Sequence, residues 1–262
     1  MVDDLRRGAE KVGERATAAR EAAKGAAGDA MEAARDAASD AVEAAGDAIA
    51  AVKPKLRGVS HEWAFFISLG LGAALIIAAD TPKATLAVGI YAISLSALLG
   101  TSALYHRVDW KRPNARRWMR RLDHSMIFVL IAGTYTPFAL LVLDGTLADA
   151  ILVVVWAGAI AGAIVEMIWI DHPKWVAALI YMSLGWVAVI AFPGLWNEMG
   201  MAGTLLVALG GLLYTAGAVV YATQRPDPFP RTFGYHEVFH ALVIAAAAAQ
   251  FAAVAFFALP AS

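Results

Sequence analysis

The sequence predicts an all-α protein: a seven-transmembrane helix bundle, N-terminus cytoplasmic and C-terminus outside, preceded by an Ala-rich, charged helical segment. Three observations predict it. Apolar residues make up 60% of the chain and mean hydropathy is +0.61, where an ordinary soluble domain is roughly 45–50% apolar. The excess falls in separate runs, each near the ~20 residues a helix needs to cross a bilayer. Lys and Arg gather in the links on one side of those runs.

Residues 1–52 differ from the rest. They are rich in Ala and charge and carry no broad apolar stripe. An eleven-residue repeat restarts at Glu21, Glu32 and Glu43; eleven residues in three turns stays close to the natural winding of a helix. Gly13, Gly25, Gly28 and Gly46 weaken that helix by roughly 1 kcal/mol each, and an Ala face buries little area. The expectation is a marginal helix, solvated or lying along the membrane, with a partner-binding coiled coil as the sharper alternative. No signal peptide is expected, because no short apolar core with a small-residue cleavage site is present. Pro54 ends the segment, and residues 53–262 form the membrane domain, its border marked by Lys53, Lys55 and Arg57.

Seven runs are expected to span: 62–79, 84–105, 123–143, 147–169, 175–192, 200–221 and 237–259. Short links such as Asp80–Lys83 and Asp144–Thr146 force successive spans antiparallel. Thr134-Tyr135-Thr136-Pro137 is expected to kink the third span, with the hydroxyls satisfying the freed carbonyls. Orientation follows from charge. The link from His106 to Leu122 carries Arg107, Lys111, Arg112, Arg116, Arg117, Arg120 and Arg121, and the opposite side has only Lys83. The positive-inside rule accounts for the basic link and places the N-terminus in the cytoplasm, so no nucleic-acid partner is expected. Cys is absent, which excludes disulfides and thiolate ligands.

The chemistry gathers at the cytoplasmic ends. His236 and His240 are four apart on one helix, about one turn from each other, the spacing that offers two imidazoles to one metal ion. The second span exits at His106, the third enters at Asp123, and the seventh enters at His236 to His240. The topology therefore puts all four residues in one layer, with Ser102 one turn from His106. Ionisable groups at membrane depth are costly and face a bundle interior or cavity. Three neutral imidazoles and one open position is the layout of a catalytic zinc site. Asp123 can take a proton from water there, or orient a ligand imidazole. Ser102 can hold that water or polarise a carbonyl, and its competing role is a bond back to its own helix. Of the other polar residues, His124 points about 100° away from Asp123. His172 is expected in a solvated loop, His61 among headgroups, and Glu166 either snorkels or pairs within the bundle.

His236-Glu237-Val238-Phe239-His240 also fits the metalloprotease pattern with Glu237 as base. No His, Asp or Glu follows His240, so a third ligand must come from upstream, and His106 is the available one.

Ser102-Ala-Leu-Tyr-His106, Leu122-Asp-His-Ser-Met-Ile-Phe through Thr136-Pro137, and His236-Glu-Val-Phe-His240 resemble the three signature blocks of bacterial hemolysin III proteins. These are a branch of the progestin and adipoQ receptor family, within a wider group of seven-span metal-dependent hydrolases that includes alkaline ceramidases. The likeness runs from about residue 53 to the end. It implies zinc held by His106, His236 and His240 with Ser102 and Asp123 beside it, an N-in, C-out fold, and a multi-pass location in the bacterial plasma membrane. The function expected is hydrolysis of a membrane-lipid amide or ester. Two alternatives stay open: a non-catalytic membrane sensor with structural zinc, and a pore-forming cytolysin. The repeat-bearing N-terminal segment departs from the family pattern.

Overall fold

The computed structural model describes Gly28, Met31, Ala34 and residues 54–261. The three N-terminal residues are helical and exposed; the remainder of the expected repeat helix lies outside the described residues. Within 54–261 the chain is helical, without a named strand: α1 Val59–Ile77, α2 Pro82–Arg107, α3 Pro113–Leu141, α4 Gly145–Ile168, α5 Lys174–Gly185, α6 Ala188–Thr223 and α7 Tyr235–Ala253. A π turn and a 3-10 turn carry α7 on to Ala261. Hydrocarbon offers no partner for backbone N–H and C=O groups, so apolar runs of this length close their hydrogen bonds within the segment. Pro and polar residues set the starts: Thr81 accepts a hydrogen bond from Ala84 N at 3.1 Å ahead of Pro82, and Pro113 opens α3.

Among the described residues, six segments are long and apolar enough to cross a membrane. One of them, Lys174–Thr223, has 50 residues; as a single helix it would be about 75 Å long, far more than the ~30 Å hydrocarbon core. It folds back on itself. The Trp186 indole donates to the Thr215 hydroxyl at 3.2 Å, although residues that far apart on a straight helix would be separated by about 43 Å. The reversal is at Gly200, with φ 66° and ψ −173°, a conformation open to glycine and strained for other residues. The bundle therefore crosses seven times, the fifth crossing being 174–199 and the sixth 201–223. The fifth is longer than the expected 175–192 because Pro193 lies inside α6 instead of ending a helix. The chain's irregularity comes earlier, between α5 and α6. There the Tyr135 hydroxyl donates to Leu184 O (3.2 Å) and Gly185 O (2.5 Å) and accepts from Ala188 N (2.6 Å).

Successive helices pack side by side, and α7 also meets α1, which closes the ring. The core is centred on α3, whose Phe128, Leu130, Ala132 and Phe138 are buried. The outer surface is apolar, with Trp63, Ile93, Val153, Ile168 and Phe256 strongly exposed, as a lipid-facing surface requires. α3 starts ten residues before the expected third span, so Arg116 to Arg121 are helical. It runs through Pro137 to Leu141 as one helix. The Thr134 and Thr136 hydroxyls bond Leu130 O and Ala132 O, not Gly133 O, the carbonyl that Pro137 leaves without its usual donor.

Candidate metal centre

His106 lies in the last turn of α2, and His236 and His240 lie in the first two turns of α7. One ligand nitrogen from each falls within 4.8 Å of the others. The His236 and His106 Nε2 atoms are 3.1 Å apart. His106 and His240 are buried, His236 less completely. Gly58 lets α2 approach: its φ is +79°, and a Cβ there would sit 2.6 Å from the His106 Cβ. Asp123, in the third turn of α3, is 9% exposed, with Oδ2 3.9 Å from His106 Nε2. Ser102 faces Asp123. Its Oγ lies 2.8 Å from His61 Nδ1, so the hydroxyl pairs with this imidazole.

Glu237 plays a different part from a protease base. It is the third helical residue of α7, and its Oε2 accepts from Gly234 N at 2.8 Å, capping the helix. Oε1 pairs with Arg57. Both oxygens are thus engaged, Oε2 in capping α7 and Oε1 in anchoring its start to the segment before α1, and Lys55 N→Arg231 O and Leu56 N→Thr232 O, each 3.2 Å, reinforce that anchor.

Two histidines are not where the sequence placed them. His61 is not among headgroups: it is 2% exposed and stacked on His240, with ring centroids 3.7 Å apart. α1 begins at Val59, three residues ahead of the apolar run, which carries His61 into the bundle. His172 is not solvated: its Nε2 lies 3.0 Å from Glu166 Oε1 and the residue is buried. Glu166, 1% exposed, also accepts from the Tyr181 hydroxyl at 2.9 Å, so it pairs within the bundle instead of snorkelling. His124 turns to this carboxylate, Nδ1 to Oε2, at 3.4 Å. The one signal for this second cluster was a glutamate well inside a largely apolar span.

A cavity of about 330 Å³ runs beside α3 from His124 to Ala139. Its walls are apolar, among them Phe138, Phe192, Leu195 and Val243. His124, Tyr181, Tyr221 and His236 also line it, so a histidine of the triad borders an apolar chamber. The three imidazoles fit a zinc-type ion: they are nitrogen donors on facing helices, close together and withdrawn from water, and the buried His240 Nδ1 has no hydrogen-bond partner.

Residues 49–251 match the family model described as "Haemolysin-III related". The chain is 32% identical over 213 residues to Hemolysin-3 of Bacillus cereus, covering 77% of this chain and 94% of that one. It is 34% identical over 168 residues to the Hemolysin-3 homolog of Bacillus subtilis (strain 168), covering 64% and 75%. A human protein, monocyte to macrophage differentiation factor, is 28% identical over 168 residues, covering 63% and 67%. The matched region contains the four histidines gathered at the ends of α1, α2 and α7, together with Asp123; by that match, the chain belongs to the haemolysin-III-related family.

Proposed function

We propose that this protein is an integral membrane zinc hydrolase acting on an amide or ester of a membrane lipid. The observation that supports it most is the adjoining of a three-imidazole cluster and an elongated apolar cavity, with His236 common to both. A lipid's acyl portion matches such a cavity, and its polar linkage then falls beside the cluster. His106, His236 and His240 would hold the metal. Zinc, when bound, lowers the pKa of water towards neutrality and polarises a carbonyl. The chain's own residues supply the rest. Asp123 is within reach of the site and takes the proton from the attacking water. Ser102, held by His61, presents its hydroxyl to the reacting carbonyl. The apolar walls exclude bulk water.

Purified protein is expected to carry about one zinc per chain and to release fatty acid from a lipid amide or ester, with turnover lost on chelation and restored by zinc. Zinc-loaded protein without turnover on either linkage would leave a structural metal in a non-catalytic protein.

The same reading sets the triad in the inner leaflet, N-terminus in the cytoplasm. The absence of native Cys makes the test direct. A cysteine replacing Arg117 should react with an impermeant maleimide only after the membrane is opened, and one replacing Lys83 should react in intact cells. The reverse pattern would invert the topology.

A further inference from the structure

Resting on the lipid reading above, we infer that Glu166 and His124 form a second polar subsite of the cavity, which binds a hydrogen-bond-donating group, a hydroxyl or a protonated amine, on the occupying lipid.

Glu166 on α4 is buried in the bundle, at a cost that needs a reason. His172 and Tyr181 account for Oε1. Oε2 has no hydrogen-bond partner, and neither has His124 Nδ1, 3.4 Å from it. Both residues are at least nine-tenths buried, at 1% and 9% exposure. An acceptor and a ring nitrogen this close are both satisfied by one hydroxyl, which donates to the carboxylate and accepts from N–H. A protonated amine satisfies both by donating twice, with the other imidazole tautomer. The two atoms meet each other only as charges at 3.4 Å, without a hydrogen bond, so each keeps hydrogen-bonding capacity that a ligand group can use.

His124 faces the cavity, and Glu166 lies directly behind it. His124 lines the wall, as does Tyr181, whose hydroxyl bonds the same carboxylate. His236, of the triad, borders the same chamber. A lipid with its apolar part along α3 thus meets two polar stations, one at the imidazole cluster and one at His124 with the Glu166 carboxylate behind it. The second would select lipids that carry a donor besides the linkage to be cut.

The test is equilibrium binding of three radiolabelled probes, hexadecan-1-ol, hexadecan-1-amine and hexadecyl methyl ether, to the full chain in detergent micelles, with empty micelles subtracted. The wild type is expected to bind the alcohol or the amine at least tenfold more tightly than the ether, which cannot donate. Which of the two wins identifies the donor. In Glu166→Gln and in His124→Asn that preference is expected to fall below threefold while ether affinity stays within twofold of wild type. The inference is overturned if the wild type prefers neither donor by threefold, or if the preference survives both substitutions. It is overturned too if both variants lose ether binding, because the pair then holds the bundle and not a ligand. Binding is read without turnover. Discrimination by a protein that hydrolyses nothing would sink the hydrolase reading alone, and turnover without discrimination would sink this subsite alone.

Discussion

Asp123→Asn is expected to lower lipid-amide turnover by roughly a hundred- to ten-thousand-fold, the range of a lost general base, while zinc content and thermal stability stay at wild-type values. Asn keeps the size of Asp and can still meet the Ser102 hydroxyl, but it cannot accept the proton that attack by water releases. The carboxylate's distance from His106 Nε2, 3.9 Å, also permits a different role, in which it orients a ligand imidazole. That role has its own signature, since losing an orienting partner weakens metal binding about 10- to 100-fold. A zinc titration beside the turnover assay separates the two. Turnover within about threefold of wild type would leave Asp123 with no part in catalysis.

His240→Ala is expected to abolish stable zinc binding, from about one ion per chain to a small fraction of one, because two imidazoles do not make a zinc site at trace metal. His240 is 1% exposed and packed among three other imidazoles, with ring centroids 3.7 Å from His61, 4.5 Å from His236 and 5.1 Å from His106. Alanine therefore removes a stacking surface as well as a ligand. His61→Phe is the control. It keeps an aromatic ring against His240 and takes no ligand away, so its zinc content should match wild type, whereas its turnover should fall because the Ser102 hydroxyl loses the imidazole that fixes it. Undiminished zinc in His240→Ala, measured on monodisperse protein, would end the case for this centre.

The candidate site was legible to different depths. His236 and His240 announce themselves by spacing, and His106 and Asp123 follow once the crossings are counted, because alternation alone puts the end of α2 and the starts of α3 and α7 on one side. His61 was not legible. Its run of apolar residues starts just after it, and nothing local says that α1 begins early enough to carry the ring against His240. Glu237 was misleading in the other direction. The pattern around it suits a protease base, but a carboxylate at the third position of a helix is also a cap, and Arg57, 180 residues away in sequence, takes the remaining oxygen.

What the sequence determined by itself was the number and nature of the crossings and the layer in which the ionisable groups lie. Those depend on a quantity that is additive along the chain, apolar length against bilayer thickness, and on the alternation of successive crossings. What the tertiary structure decided was which side chain meets which: the stacking of His61 on His240 and the gathering of His124, His172 and Tyr181 around Glu166. The physical reason is that a membrane helix is apolar on every face. Its pattern does not tell lipid from neighbour, and its rotation is set by packing and interhelical hydrogen bonds that only the assembled bundle possesses.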